Sequence, residues 1–223
     1  MPNSQFHTAI STARYSRYLN ACGYKQQALK LYRSNLKLSQ KLFSVISVFE
    51  IILRNSIDRH MISKRGNFWL EDAVAMGGYL ETSPGCEPTY HSVQEIIHKL
   101  GVDYTHDRLI ARFTFGFWTS QFASKEFAAS GSSLLEIFVN RPFGVNRKEV
   151  YGMLMKINQI RNRIAHHEPI CFEGNTISTD KTERRYMLIL ELLEWLGCKP
   201  KRILYGINGV RKEIEKINAI KNH

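Results

Sequence analysis

Between Lys25 and His60, Ala28, Leu31, Leu38, Leu42, Ile46, Phe49, Leu53 and Ile57 fall at steps built from threes and fours, and no proline interrupts them. That spacing lays one apolar stripe along an α-helix; a strand, whose faces alternate every second residue, would scatter it over both sides. The pattern predicts one long helix from about Lys25 to His60. Such a helix buries its stripe only if other elements cover it. Hydrophobic residues make up 43% of the 223, enough for a sizeable core without disulfide or metal staples.

The rest of the chain repeats the helical period. Ile10 to Leu19 forms a shorter helix that Gly23 ends. Residues 64 to 90 change character: Gly66, Gly77, Gly78, Pro84, Gly85 and Pro88 predict an irregular excursion with at most short helical pieces. Ser92 with Glu95 makes a capping-box pattern before Ile96, Ile97 and Leu100. Leu109, Phe113, Phe117, Trp118 and Phe122 mark an aromatic core helix interrupted by Gly116.

Asn146 with Glu149 is a second capping box, flanked by Val145 and Val150 in the hydrophobic-staple positions. The stripe Val150, Leu154, Ile157, Ile160 and Ile164 follows, and Pro169 should end that helix at Glu168. Asp180 with Glu183 opens a helix through Tyr186, Leu190, Leu193 and Trp195, closed by Gly197. A last helix spans roughly Val210 to Ile220. No alternating strand pattern persists. The expectation is an all-α fold, a helical bundle in a single domain over residues 1–223.

Thirty-one Lys and Arg against twenty Asp and Glu give a net charge of +11. Such a surplus favours a polyanionic partner, because neutralising phosphates releases counterions. Cys22, Cys86, Cys171 and Cys198 are scattered without a Cys-x-x-Cys pair, which fits reduced thiols. The start lacks the layout of a secretory leader, and the most apolar window, Val45 to Leu53, is short and contains Glu50. A cytoplasmic protein with no membrane span is the expectation.

The segment with chemistry in it is Arg161-Asn162-Arg163-Ile164-Ala165-His166-His167-Glu168. An imidazole moves protons at neutral pH, and a guanidinium stays charged and grips a phosphate through paired hydrogen bonds. On a helix, with Ile157 as the core direction, Arg161 lies about 40° away, on the edge of the apolar face. Asn162 and His166 are four apart and point away from that face. His167 is turned about 100° from His166 and reads as a supporting residue. Arg161 and His166 could equally form a C-terminal helix cap, since cations are favoured beside the last carbonyls. A zinc site of His166, His167 and Cys171 would need a fourth ligand, and no metal or other cofactor is expected.

Upstream, Arg54-Asn55-Ser56-Ile57-Asp58-Arg59-His60 echoes that segment. Its spacing differs, because His60 stacks with neither Arg54 nor Asn55. Glu50, Arg54 and Asp58 instead form an i,i+4 charge ladder, so Glu50, Arg54, Asn55 and His60 read as a supporting polar network. His91, His98 and His106 read as surface or capping residues. For RNA contact, Lys156, Arg147 and Arg163 lie on the same helix as Arg161, and Lys201, Arg202 and Arg211 belong to a basic C-terminal region with Tyr205 available for stacking.

Arg161-Asn162 followed after four positions by His166 resembles the signature of the HEPN superfamily of metal-independent ribonucleases. Ser11-x-x-Arg14, Tyr18-Leu19, Ala28-Leu29-x-Leu31-Tyr32, Glu50-x-x-Leu53-Arg54-Asn55 and Thr114-Phe115-Gly116-Phe117-Trp118 come in the order of its Abi-like, abortive-infection branch. The resemblance covers most of the chain. It implies a HEPN-like helical fold and a homodimer that joins two motifs in one site. Arg161, Asn162 and His166 would be the catalytic residues, cleaving RNA by attack of the ribose 2′-hydroxyl. It also implies a toxin-like role in restricting phage, with an antitoxin or regulatory RNA as a further partner. One His166 supplies either the base or the acid; the other could be His166 of a second subunit, His167 or His60. Two other readings fit the same residues: a non-catalytic module that holds a regulatory RNA, and an interaction protein whose Asn/His face seals a dimer.

Overall fold

The computed structural model describes residues 10–221. Among them the chain is all-α apart from one small hairpin. α1 (Thr12–Cys22) ends at Gly23, whose φ of 79° is the left-handed conformation that glycine reaches without a Cβ penalty. α2 (Lys25–Arg65) is the long helix that the apolar stripe predicts, and it runs five residues beyond His60. Every member of that stripe, from Ala28 to Ile57, is fully buried.

The excursion carries two single-turn helices, α3 (Trp69–Asp72) and α4 (Tyr79–Thr82). α5 (Glu87–Leu100) starts earlier than the Ser92–Glu95 pattern indicates. Pro88 sits in its first turn, where the missing N–H costs nothing, and the Glu87 carboxylate accepts the Gly85 N–H at 2.9 Å. Proline here opens a helix instead of extending a loop. The aromatic segment is two helices, α6 (His106–Arg112) and α7 (Phe115–Ser120), and the break lies at Phe113–Thr114, not at Gly116. Phe113 and Thr114 are extended, with Thr114 leading into the second helix; Gly116 stays helical. Of the predicted stripe, Leu109, Phe113, Trp118 and Phe122 are core and Phe117 is only half-buried; Phe115, outside the stripe, is fully buried. α8 (Ser124–Ala129) follows.

α9 (Arg147–Ala165) begins with the expected reciprocal cap. Asn146 Oδ1 accepts the N–H groups of Lys148 and Glu149 at 2.8 and 3.2 Å, while the Asn146 N–H donates to the Glu149 carboxylate at 2.8 Å. After it comes a hairpin of two-residue strands, β1 (Phe172–Glu173) and β2 (Thr176–Ile177), antiparallel with Phe172 opposite Ile177. It is too short to leave an alternating pattern in the sequence. α10 (Asp180–Trp195) ends at Gly197 with paired carbonyl bonds, Cys198 N–H to Leu193 and Gly197 N–H to Glu194, both 3.0 Å. The single-turn α11 (Pro200–Ile203) and α12 (Val210–Lys221) complete the order.

The chain divides into two compact units. The first takes the residues up to Ile46, Gln159–Leu190 and the residues from Leu204; the second takes Ser47–Asn158 and Glu191–Ile203. Within the first, Tyr15 donates to the Lys25 carbonyl at 2.8 Å, Gln27 to the Ile220 carbonyl at 3.1 Å, and Thr179 to Asn218 at 3.0 Å. Within the second, the Phe49 and Phe115 rings meet at 5.9 Å, and the Trp195 carbonyl accepts the Asn140 N–H at 3.0 Å. Among the described residues no helix is long and apolar enough to cross a membrane.

Candidate functional site

The C-terminal turn of α9 presents the Arg-Asn-x-x-x-His segment. Ile157 and Ile160 are buried, Arg161 is half-buried, and Asn162 and His166 are exposed, which is the order that helical spacing predicts. The Arg161 Nε is buried with no acceptor among the described residues. A guanidinium with an unused buried donor is under-satisfied. The His166 N–H donates to the Asn162 carbonyl at 2.9 Å, so backbone bonding fixes both residues on one face.

The helix stops three residues before the point that Pro169 suggests. Ala165 is its last residue, and His167 adopts a left-handed φ of 57°. The Glu168 N–H reaches the Arg163 carbonyl at 2.8 Å and the His167 N–H the Ile164 carbonyl at 3.0 Å. This is a Schellman turn with histidine where glycine is the usual occupant. The reversal, not the proline, ends the helix, and it turns His167 away from the Asn162–His166 face.

Arg163 holds this turn. Its Nε donates to Glu168 at 3.2 Å and its terminal nitrogen to the Pro169 carbonyl. Beyond it both backbone groups of Ile170 are met by buried side chains: Asn35 accepts its N–H at 2.9 Å, and Thr182 donates to its carbonyl at 2.6 Å.

Two adjoining clefts flank the turn. One, of about 380 Å³, is lined by residues that include Arg14, Arg17, Tyr32, Asn35, His167 and Glu168. The other, of about 330 Å³, shares Asn35, Leu36, His167 and Glu168 and adds Phe43, Ile164 and Ala165. Arg17 is fixed before any ligand arrives: its guanidinium lies 4.7 Å from the centre of the Phe172 ring and donates to the Gly174 carbonyl. No family model, curated protein or solved structure matches the chain.

The remaining candidates separate by unit. Glu50, Arg54, Asn55 and His60 lie in the second unit. The ladder rung from Arg54 to Asp58 is not made. Arg54 Nε donates to Asn55 at 3.0 Å, and Asp58 Oδ1 accepts from Trp69 Nε1 and pairs with His106 Nε2, both at 2.8 Å. A neutral indole donor and an imidazole that fit Asp58 directly displace a solvated i,i+4 pair worth only a few tenths of a kcal/mol, about 0.2–0.5. His106 is therefore a partly buried partner of Asp58, not a surface or capping residue. His60 bonds Ser133 Oγ at 2.8 Å, and burial holds its imidazole below the ordinary range.

Of the cations named for RNA contact, Arg163 and Arg147 hold backbone carbonyls, the latter that of Phe122 at 2.8 Å. Arg211 is exposed in the first unit with its guanidinium 3.6 Å from Met187 Sδ. Lys156, Lys201 and Arg202 are exposed in the second. Among the described residues no three His, Cys, Asp or Glu side chains are grouped to hold a metal, so His166, His167 and Cys171 do not converge. Arg17, Tyr32 and Asn35 belong to no catalytic motif in the sequence; the i,i+3 spacing of Arg14 and Arg17 on an amphipathic helix is the one local signal that points to them.

Proposed function

We propose that this chain is a metal-independent endoribonuclease of the HEPN, Abi-like type, acting as a cytoplasmic, toxin-like effector of abortive infection. The observation that carries the reading is the last turn of α9: exposed Asn162 and His166 on one face, beside a half-buried Arg161 with an unused donor.

In this account one imidazole takes the proton of a ribose 2′-hydroxyl as its oxygen attacks the adjacent phosphorus. Arg161 stabilises the charge gathering on the phosphate oxygens, and Asn162 orients the phosphate or the imidazole. The P–O5′ bond breaks, and the leaving 5′-oxygen takes a proton from a second acid. The products are a 2′,3′-cyclic phosphate and a 5′-hydroxyl. In a homodimer the second proton carrier is His166 of the other copy.

Substitution separates this account from its rivals. His166→Ala and Arg161→Ala each lower cleavage by at least about 100-fold, while His166→Ala leaves RNA affinity nearly intact. Wild-type protein that binds RNA in a salt-sensitive manner and cuts none of it favours a binding module. Loss of a dimer in His166→Ala, without an effect on RNA, favours an interaction protein.

A further inference from the structure

We propose that the cleft beside the α9 turn is a nucleotide subsite, in which Arg14 and Arg17 hold an RNA phosphodiester and Tyr32 carries its base. The proposal rests on the ribonuclease reading for what is cut, but not for what is bound.

The cleft's volume, about 380 Å³, lies within the range of small-ligand sites. Arg14 and Arg17 are three apart on α1, so both guanidiniums leave the same side of the helix. Arg17 uses one of its five N–H donors on Gly174 and rests on Phe172. It is ordered in advance with donor capacity left, the condition under which a phosphate contact loses least entropy. Arg14 is exposed and supplies a second positive charge. Glu168 also lines the cleft, but Arg163 offsets its charge at 3.2 Å, which leaves the cationic character in place.

The aromatic wall is equally fixed. Tyr32 meets Tyr18 edge-on at 5.2 Å, and Tyr18 meets Phe172 edge-on at 5.3 Å. Base stacking on such a wall is tolerant of sequence. Asn35 gives its oxygen to Ile170 and retains amide donors at the cleft. His167 enters the same cleft from a left-handed backbone. A glycine there would make the turn without strain, whereas the histidine adds a donor and a face to the cleft.

The test uses the full chain and a fluorescent single-stranded 2′-O-methyl oligoribonucleotide, which cannot undergo 2′-hydroxyl attack, with affinity read by anisotropy over a range of salt. Arg14→Ala weakens binding roughly tenfold and lowers the slope of log K against log salt by about 0.7. Arg14→Lys restores the slope. Tyr32→Leu weakens binding without changing the slope, and Arg59→Ala, an exposed arginine of the second unit, changes neither. Wild-type affinity and slope in Arg14→Ala overturn the subsite, as does failure of the wild type to bind the oligonucleotide. If Arg14 controls binding and the wild type cuts no RNA, the subsite stands and the ribonuclease reading falls. If the wild type cuts RNA and Arg14→Ala binds normally, the reverse holds.

Discussion

Asn35 accepts the backbone N–H of Ile170 at 2.9 Å across 135 positions of sequence. Thr182 meets the carbonyl of the same residue, so the segment leaving α9 is fixed by two side chains on two other helices. Removing Asn35 leaves a buried N–H unsatisfied. Asn35→Ala should cost about 1–3 kcal/mol and Thr182→Val about 1 kcal/mol in urea unfolding. Wild-type stability in both variants would show that this anchor is dispensable.

His167 carries a left-handed φ at a position where glycine is relaxed. His167→Gly removes strain of about 1–2 kcal/mol and adds chain entropy of about 0.5–1 kcal/mol to the unfolded state. The expected net effect is a modest rise in Tm together with weaker RNA binding. A fall in Tm would mean that the imidazole stabilises the turn.

Burial pushes the Cys171 thiol up to about 12 and raises Cys86 and Cys22 as well. At pH 8 the native protein should take up iodoacetamide at half-buried Cys22 and Cys198 first, and at buried Cys171 only as the chain opens. Peptide mass spectrometry of a labelling time course reads this order. Asn35→Ala should quicken labelling at Cys171, which neighbours the anchored Ile170.

Burial, the largest influence on His60, holds its imidazole below its ordinary value near 6.5; Glu136 opposes the shift and Lys64 adds to it. The unfolded chain then takes up the proton more readily than the folded one. This contribution to stability is complete above about pH 6.5 and is lost as pH falls through the folded value. His60→Gln should flatten that part of the stability profile between pH 7 and 5. An NMR titration of His60 with a midpoint at or above 6.5 contradicts the account.

What the sequence makes legible is local. The Asn146–Glu149 cap, the long stripe of α2 and the outward face of Asn162 and His166 each follow from spacings of three or four residues, and the structure has them. The structure departs from those spacings where distant residues intervene. Asp58 faces Arg54 by spacing, but Trp69 and His106, the latter 48 positions away, take its carboxylate. Pro169 marks the approach of a helix end but not the reversal at His167, because no glycine advertises a left-handed residue. The cleft joins α1, α2 and the α9 turn, and only the fold brings Arg14 and Tyr32 to His167.

The most direct test of the central claim is the chemistry of the cut ends. Purified protein is incubated with total bacterial RNA in excess EDTA, with His166→Ala alongside, and the products are mapped. The account predicts 2′,3′-cyclic phosphate and 5′-hydroxyl ends with the wild type and no new ends with the variant. Cleavage that EDTA abolishes, 5′-phosphate ends, or cutting that persists in His166→Ala would contradict it.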